Sequence, residues 1–231
     1  MNLPAAEQQW HETKLYPLQN RVLAAMAPVQ GGLYLTGGTA LSRGYLHHRF
    51  SDDLDLFAND DVDFRLVAAR IVHALTQRPD WKVRVLVNDE RFSRFTVTEN
   101  GVELKVELVN DVPCHIGEIA LHPVLGRLDD AKNILANKVT AALDRDEPKD
   151  LSDIWGLCTL MGLELGVAVE DATGKAAGVF PADLARLLCC VSEADYALIR
   201  WRDGPGYQRF SADLRALGEK LLLISSPVPK L

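Results

Sequence analysis

"LTGGTALSRGYLHHRFSDDLDLF", residues 35–57, decides how the first half of this chain is read. It begins in a short apolar run, passes through Gly37-Gly38, and ends on "DLDLF", where Leu54 and Leu56 alternate with Asp53 and Asp55. A strand sends successive side chains to opposite faces, so the leucines face a core while the two aspartates share the other face, about 7 Å apart. Uncompensated burial of two carboxylates is costly, and a cation is expected beside them. Magnesium suits the pattern because it takes carboxylate oxygens together with substrate phosphate oxygens. An edge strand whose polar face is merely solvated is the competing reading.

Upstream, the glycine pair makes a tight turn, and Thr39 is placed to cap a helix reaching about His48. Backbone amides and a helix dipole both face an anion at such a turn, which suits a phosphate. Downstream, "VELKVELV" alternates Glu103, Lys105 and Glu107 against Leu104, Val106 and Leu108, so a third carboxylate can join Asp53 and Asp55. Glu107 is the first candidate and Glu103 the competitor. Three carboxylates beside a phosphate-binding turn are the parts of two-metal phosphoryl or nucleotidyl transfer.

Around this stretch the periodicity predicts helices over 5–27 and 63–77, then the strands "WKVRVLV", "RFTVT" and "VELKVELV", the last two joined by the hairpin signal Asn100-Gly101. Residues 1–112 thus read as a mixed sheet with helices on it. From Pro113 the strand pattern stops, and helical spacing takes over near 129–144, 148–162, 181–189, 192–202 and 208–224. Residues 113–231 are expected to be an all-helical second domain, with the Gly- and Ala-rich stretch 162–181 as a loop; the fold class is α+β. Within it, Lys138 interrupts an apolar stripe, where it either snorkels to solvent or meets a triphosphate as a point charge. "RDEPKDLSDIW" adds Arg145, Lys149, Asp150 and Asp153, one acid more than helix capping explains.

Composition bounds the function. A chain of 231 residues with 48% hydrophobic content forms a core, and a net charge of −7 with no cationic half disfavours bulk nucleic-acid affinity. Local basic groups still allow an RNA substrate. No apolar stretch approaches the roughly 20 residues of a membrane span, and residues 1–10 lack the basic and apolar regions of a leader, so a cytoplasmic protein without a membrane partner is expected. Cys114, Cys158, Cys189 and Cys190 show no Cys-x-x-Cys pairing, against a disulfide framework or a zinc site. His47-His48 beside Asp52 and Asp53 suggests a histidine-carboxylate metal site, but neighbouring helical residues point about 100° apart, and the pair more simply closes the helix. "RWRDGPGYQRF" interleaves Arg200, Trp201, Arg202, Tyr207 and Arg209 as a nucleic-acid surface does, or is a helix end with surface arginines.

Taken together, "TGGTALSRGYLHHRFSDDLDLF", "LKVELV" and "NKVTAALDRDEPKDLSDIWGL" resemble the AbiEii/AbiGii toxin family of nucleotidyltransferases, over roughly residues 33–160. The resemblance implies a polymerase-beta-like catalytic domain followed by a helical domain that completes the nucleotide cleft. It implies Asp53 and Asp55 as metal ligands, with Glu107 where the third acid is often an aspartate. It implies Gly37, Gly38 and Thr39 as the triphosphate turn, Arg49 and Ser51 as phosphate-binding or strand-orienting groups, Lys138 as a phosphate contact, Asp150 as a second-domain catalytic acid and Asp153 beside it at the nucleotide. Asp52 falls at a variable position. The expected activity is transfer of a nucleoside monophosphate from a nucleoside triphosphate, with Mg2+ or Mn2+, to RNA such as a tRNA 3′ end, in a toxin-antitoxin or phage-defence system with a cognate antitoxin as partner. A protein or small-molecule acceptor, or a non-catalytic nucleotide-binding module, are the alternatives.

Overall fold

The computed structural model describes residues 2–145 and 147–225. They form two compact units, one of Leu3–Asp130 and one of the described residues from Ala131 to Ser225, which also takes in Asn2. In the first, α1 (Ala5–Trp10) runs through a π-type turn (His11–Leu15) into α2 (Tyr16–Met26). Then follow β1 (Tyr34–Thr36), α3 (Gly37–Thr39) with a second π-type turn (Ala40–Tyr45), β2 (Leu54–Asn59), α4 (Phe64–Thr76), β3 (Lys82–Asn88), β4 (Phe92–Glu99), β5 (Val102–Asp111), β6 (Ala120–His122) and β7 (Gly126–Leu128). The strands make one seven-stranded mixed sheet in the order β3-β4-β5-β2-β1-β7-β6, with β2–β5 and β1–β7 parallel.

The alternation read in the sequence sorts the two faces of that sheet. Leu54 and Leu56 of β2, Phe95 and Val97 of β4, and Leu104, Val106 and Leu108 of β5 are all buried, whereas Asp55, Lys105 and Glu107 keep partial access to solvent. Leu15, Leu18, Val22 and Met26 of the N-terminal helices and Phe64, Ile71 and Leu75 of α4 complete the core, each worth roughly 1.5–3 kcal/mol of burial. Strands do not stop at Pro113: β6 and β7 extend the sheet on the side of β1. They are three residues each, too short for alternation to mark them in the sequence.

The second unit is helical: α5 (Ala131–Asp144), α6 (Pro148–Thr159), α7 (Leu165–Thr173), α8 (Pro181–Cys189), α9 (Glu193–Leu198) and α10 (Tyr207–Ser225). Pro148 and Pro181 start α6 and α8, where the missing N–H costs nothing, and Ser192 with Asp195 forms a capping box on α9. The expected loop over 162–181 contains α7. Its Leu165, Ala168, Val169 and Ala172 form a buried i, i+3, i+4, i+7 stripe that the surrounding glycines concealed. Trp155, Tyr196, Trp201 and Phe210 form the aromatic centre of this unit, with ring centroids 5.1–6.0 Å apart. The α+β class therefore holds, a mixed sheet with helices followed by a helical part. No helix among the described residues is long and apolar enough to cross a membrane.

Candidate active site

Register builds the site. Because β2 and β5 pair in parallel, Asp55 lies directly beside Glu107, and β5 in turn sets Glu107 beside Arg94 of β4. Asp53, just before β2, reaches the same cluster through Lys105: its ammonium is 2.8 Å from Asp53 Oδ2 and 3.1 Å from Glu107 Oε1. Arg94 Nε donates to the same Glu107 oxygen at 2.8 Å. Glu103 is exposed and registers with Thr98, away from the aspartates. Burial alone lowers the Lys105 pKa, but the hydrogen bonds and charges of Asp53 and Glu107 outweigh it, and the net shift is upward. Among the described residues no three His, Cys, Asp or Glu side chains are gathered as they would be around a metal ion. Two carboxylates do converge on one cationic centre, the Lys105 ammonium.

The glycine turn lies against this cluster. A Cβ on Gly37, whose φ is +66°, would sit 2.8 Å from Asp55 Oδ2; one on Gly38 would sit 2.6 Å from Arg49 Nη2 and 2.9 Å from Ser51 Oγ. Only glycines allow the backbone so near the carboxylate on one side and the buried Arg49 on the other. Thr39 is not the helix cap that the sequence suggested. The helix already starts at Gly37, Thr39 has helical φ and ψ, and its hydroxyl donates to the Asp53 carbonyl at 2.5 Å. Ser51 Oγ lies 3.0 Å from that hydroxyl. Thr36 holds the N-cap position, yet its hydroxyl goes to the buried Asp129 at 2.5 Å and does not cap this helix start.

Two supports of this region escaped the sequence. Asp129, 0% exposed, accepts from Thr36 and lies 2.9 Å from His115 Nε2, bracing the β1 end that leads into Gly37. On the other side, buried His11 places Nε2 2.8 Å from Asp52 Oδ1, and Gln19 Nε2 donates to the Asp52 carbonyl at 2.8 Å. The N-terminal helices thereby hold the segment that carries Asp53. Neither has a local motif, since each joins residues far apart in the chain. Of the histidine pair, His47 is exposed with φ +53°, while His48 is buried.

The other singled-out residues meet in the helical unit. Lys138 Nζ, on α5, lies 2.7 Å from both Asp150 Oδ1 and Asp153 Oδ2 of α6, and Arg145 grips Asp150 through Nε at 2.8 Å and Nη2 at 3.2 Å. Both aspartates are 0% exposed. Burial pushes the Asp150 carboxyl up, but Lys138 and Arg145 more than reverse this and hold it below the usual aspartate value. Lys138 therefore does not snorkel to solvent; it is drawn inward by two acids.

Solved structures share the architecture. JHP933 from Helicobacter pylori superposes with a TM-score of 0.60 at 18% identity, over 95% of this chain and 93% of its own. MenT4, the nucleotidyltransferase toxin Rv2826c from Mycobacterium tuberculosis H37Rv, gives 0.64 at 19% identity, over 90% of this chain and 82% of its own. At such identities the likeness speaks for the fold alone. No curated protein sequence matches the chain. The model of the nucleotidyl transferase AbiEii toxin family, type IV toxin-antitoxin system, matches residues 21–188, and with the greater part of its length covered the chain belongs to that family.

Proposed function

We propose that this chain is a divalent-metal-dependent nucleotidyltransferase that moves a nucleoside monophosphate from a nucleoside triphosphate to an RNA 3′ hydroxyl, with the tRNA 3′ end as the leading acceptor. The observation that carries the reading is the convergence of Asp53 and Glu107 on one cation, with Asp55 registered beside Glu107 and the Gly37-Gly38 turn packed on Asp55. Carboxylate oxygens are the donors that Mg2+ or Mn2+ prefers. A metal held there supplies charge neutralisation for the triphosphate and activation of the attacking hydroxyl.

In this reading Asp53, Asp55 and Glu107 hold the metal, and Glu107 also orients the acceptor hydroxyl. The amides of Gly37, Gly38 and Thr39 receive triphosphate oxygens, with Arg49 and Ser51 beneath the turn. Asp150 and Asp153 fix the position of the Lys138 ammonium, the point charge of the phosphate contact in this reading. Family membership supports a toxin with an antitoxin partner; the reading extends this to action in the cytoplasm, in a toxin-antitoxin or phage-defence system.

The test is transfer of label from each α-labelled nucleoside triphosphate, with Mg2+ or Mn2+, onto total bacterial RNA and total protein. Label on a tRNA-sized band, absent from an Asp53→Ala, Asp55→Ala variant, is the expected result. Label on protein alone would move the acceptor to a polypeptide. Label on neither, from folded protein, would favour a small-molecule acceptor, which suits the net charge of −7, or a silent nucleotide-binding module.

A further inference from the structure

Lys105 touches two of the carboxylates that the reading above assigns to the metal, yet that reading gives it no part. It lies two positions before Glu107 on β5, on the same face of the sheet, and its ammonium bridges Asp53 Oδ2 and Glu107 Oε1. From this geometry we propose that Lys105 is a tethered counter-ion of the metal site, which a divalent cation must displace in order to enter. The inference rests on the metal-dependent reading and adds to it how the site is balanced before metal arrives.

Three observations carry it. Mg2+ binds carboxylate oxygens at about 2.0–2.1 Å. A metal on Asp53 Oδ2 and Glu107 Oε1 would share both oxygens with an ammonium already 2.8 and 3.1 Å from them. Two cations so close repel strongly, so the two occupancies compete. Next, Lys105 is built to leave: its side chain is 39% exposed on a flexible four-carbon stem, and Asp53 is 35% exposed. Last, Arg94 Nε lies 2.8 Å from the same Glu107 oxygen but reaches Glu107 from the neighbouring strand, so Lys105 is the cation that bridges Glu107 to Asp53 and the one a metal on both carboxylates must replace. Metal entry is then an exchange of one cation for another, and the free protein needs no ion to relieve repulsion between its own carboxylates.

The experiment is a Mn2+ titration of the full-length protein, read by the electron paramagnetic resonance of free Mn2+, with thermal melts beside it. Lys105→Met should bind Mn2+ roughly tenfold more tightly than wild type, because the competitor is gone. It should melt lower than wild type without metal, and Mn2+ should raise its melting temperature by more than it raises that of wild type, a difference that a packing role for Lys105 would not produce. Asp53→Asn on top of Lys105→Met should abolish the gain. Lys105→Arg, with a guanidinium that grips carboxylates through two bonds, should weaken Mn2+ binding severalfold, and it provides the test should the methionine variant not fold. A folded Lys105→Met protein with wild-type or weaker affinity overturns the inference, as does wild-type affinity in Lys105→Arg. Wild type and both variants all failing to bind Mn2+, even with nucleoside triphosphate present, would instead remove the metal-dependent reading beneath it.

Discussion

Each unit of this protein contains a lysine held by two carboxylates, and the two clusters differ chiefly in burial. Lys105 with Asp53 and Glu107 is open, with side-chain exposures of 39%, 35% and 17%. Lys138 with Asp150 and Asp153 is closed, at 7%, 0% and 0%. Exposed ion pairs are worth little and rearrange readily, because water competes for each partner. A buried pair gives little net stability either, but loss of one partner strands the other charges in a medium that cannot solvate them. The open cluster is therefore suited to exchanging ligands, and the closed one to fixing α5 against α6.

The largest effect expected is on the open cluster's chemistry. Asp53→Asn or Asp55→Asn should reduce nucleotidyl transfer by at least about a thousandfold, a loss of roughly 4 kcal/mol of transition-state stabilisation, with the melting temperature little changed. If either variant were instead unfolded, the contrast between the clusters would collapse. The next effect belongs to the closed cluster: Lys138→Met should destabilise the protein by about 3–5 kcal/mol in urea unfolding, whereas Lys105→Met should cost roughly 0–1 kcal/mol. Equal costs would show that burial is not what separates them.

A pH titration sharpens the same point. The folded Asp150 carboxyl is held below its ordinary value, so the stability it contributes is complete above the unfolded aspartate range and is lost as pH falls through the depressed folded value. Urea midpoints followed downward from pH 6 should fall in that acid range. Lys138→Met takes away the main charge that depresses Asp150, so its acid loss should begin at higher pH. The smallest effect is a labelling contrast. Cys158, also in the helical interior, has its thiol pushed up to about 12 chiefly by burial, and should resist iodoacetamide at pH 8 while exposed Cys190 reacts.

How much of this was legible depended on whether the signal was local. The faces of β2 and β5 were readable because alternation is a property of one strand, and it put Asp53 with Asp55 and Glu107 with Lys105. The nearness of Glu107, rather than Glu103, to Asp55 follows from the β2–β5 register, which no short window contains. For the same reason "LKVELV" showed Lys105 on the acidic face without showing that it bridges Asp53 and Glu107. Thr39 misleads because capping preference is statistical, whereas the positive φ of Gly37 lets the helix begin three residues earlier. The stripe of α7 was present in Leu165, Ala168, Val169 and Ala172, but Gly162, Gly166, Gly174 and Gly178 made the stretch resemble a loop. Lys138 read as ambiguous because its partners come from the next helix.

The parallel pairing of β2 with β5 has one more consequence, for how the chain could be cut and rejoined. Asp55 and Glu107 are adjacent through a ladder of six register pairs, from Leu54↔Val106 to Asn59↔Asp111, and not through the covalent path between them. The hairpin tip at Asn100-Gly101, where both residues have positive φ and a Cβ on Gly101 would meet nothing within 4 Å, takes no part in that ladder. The tip is thus a natural place for an inserted reporter, or for a break between two fragments that reassemble on the sheet.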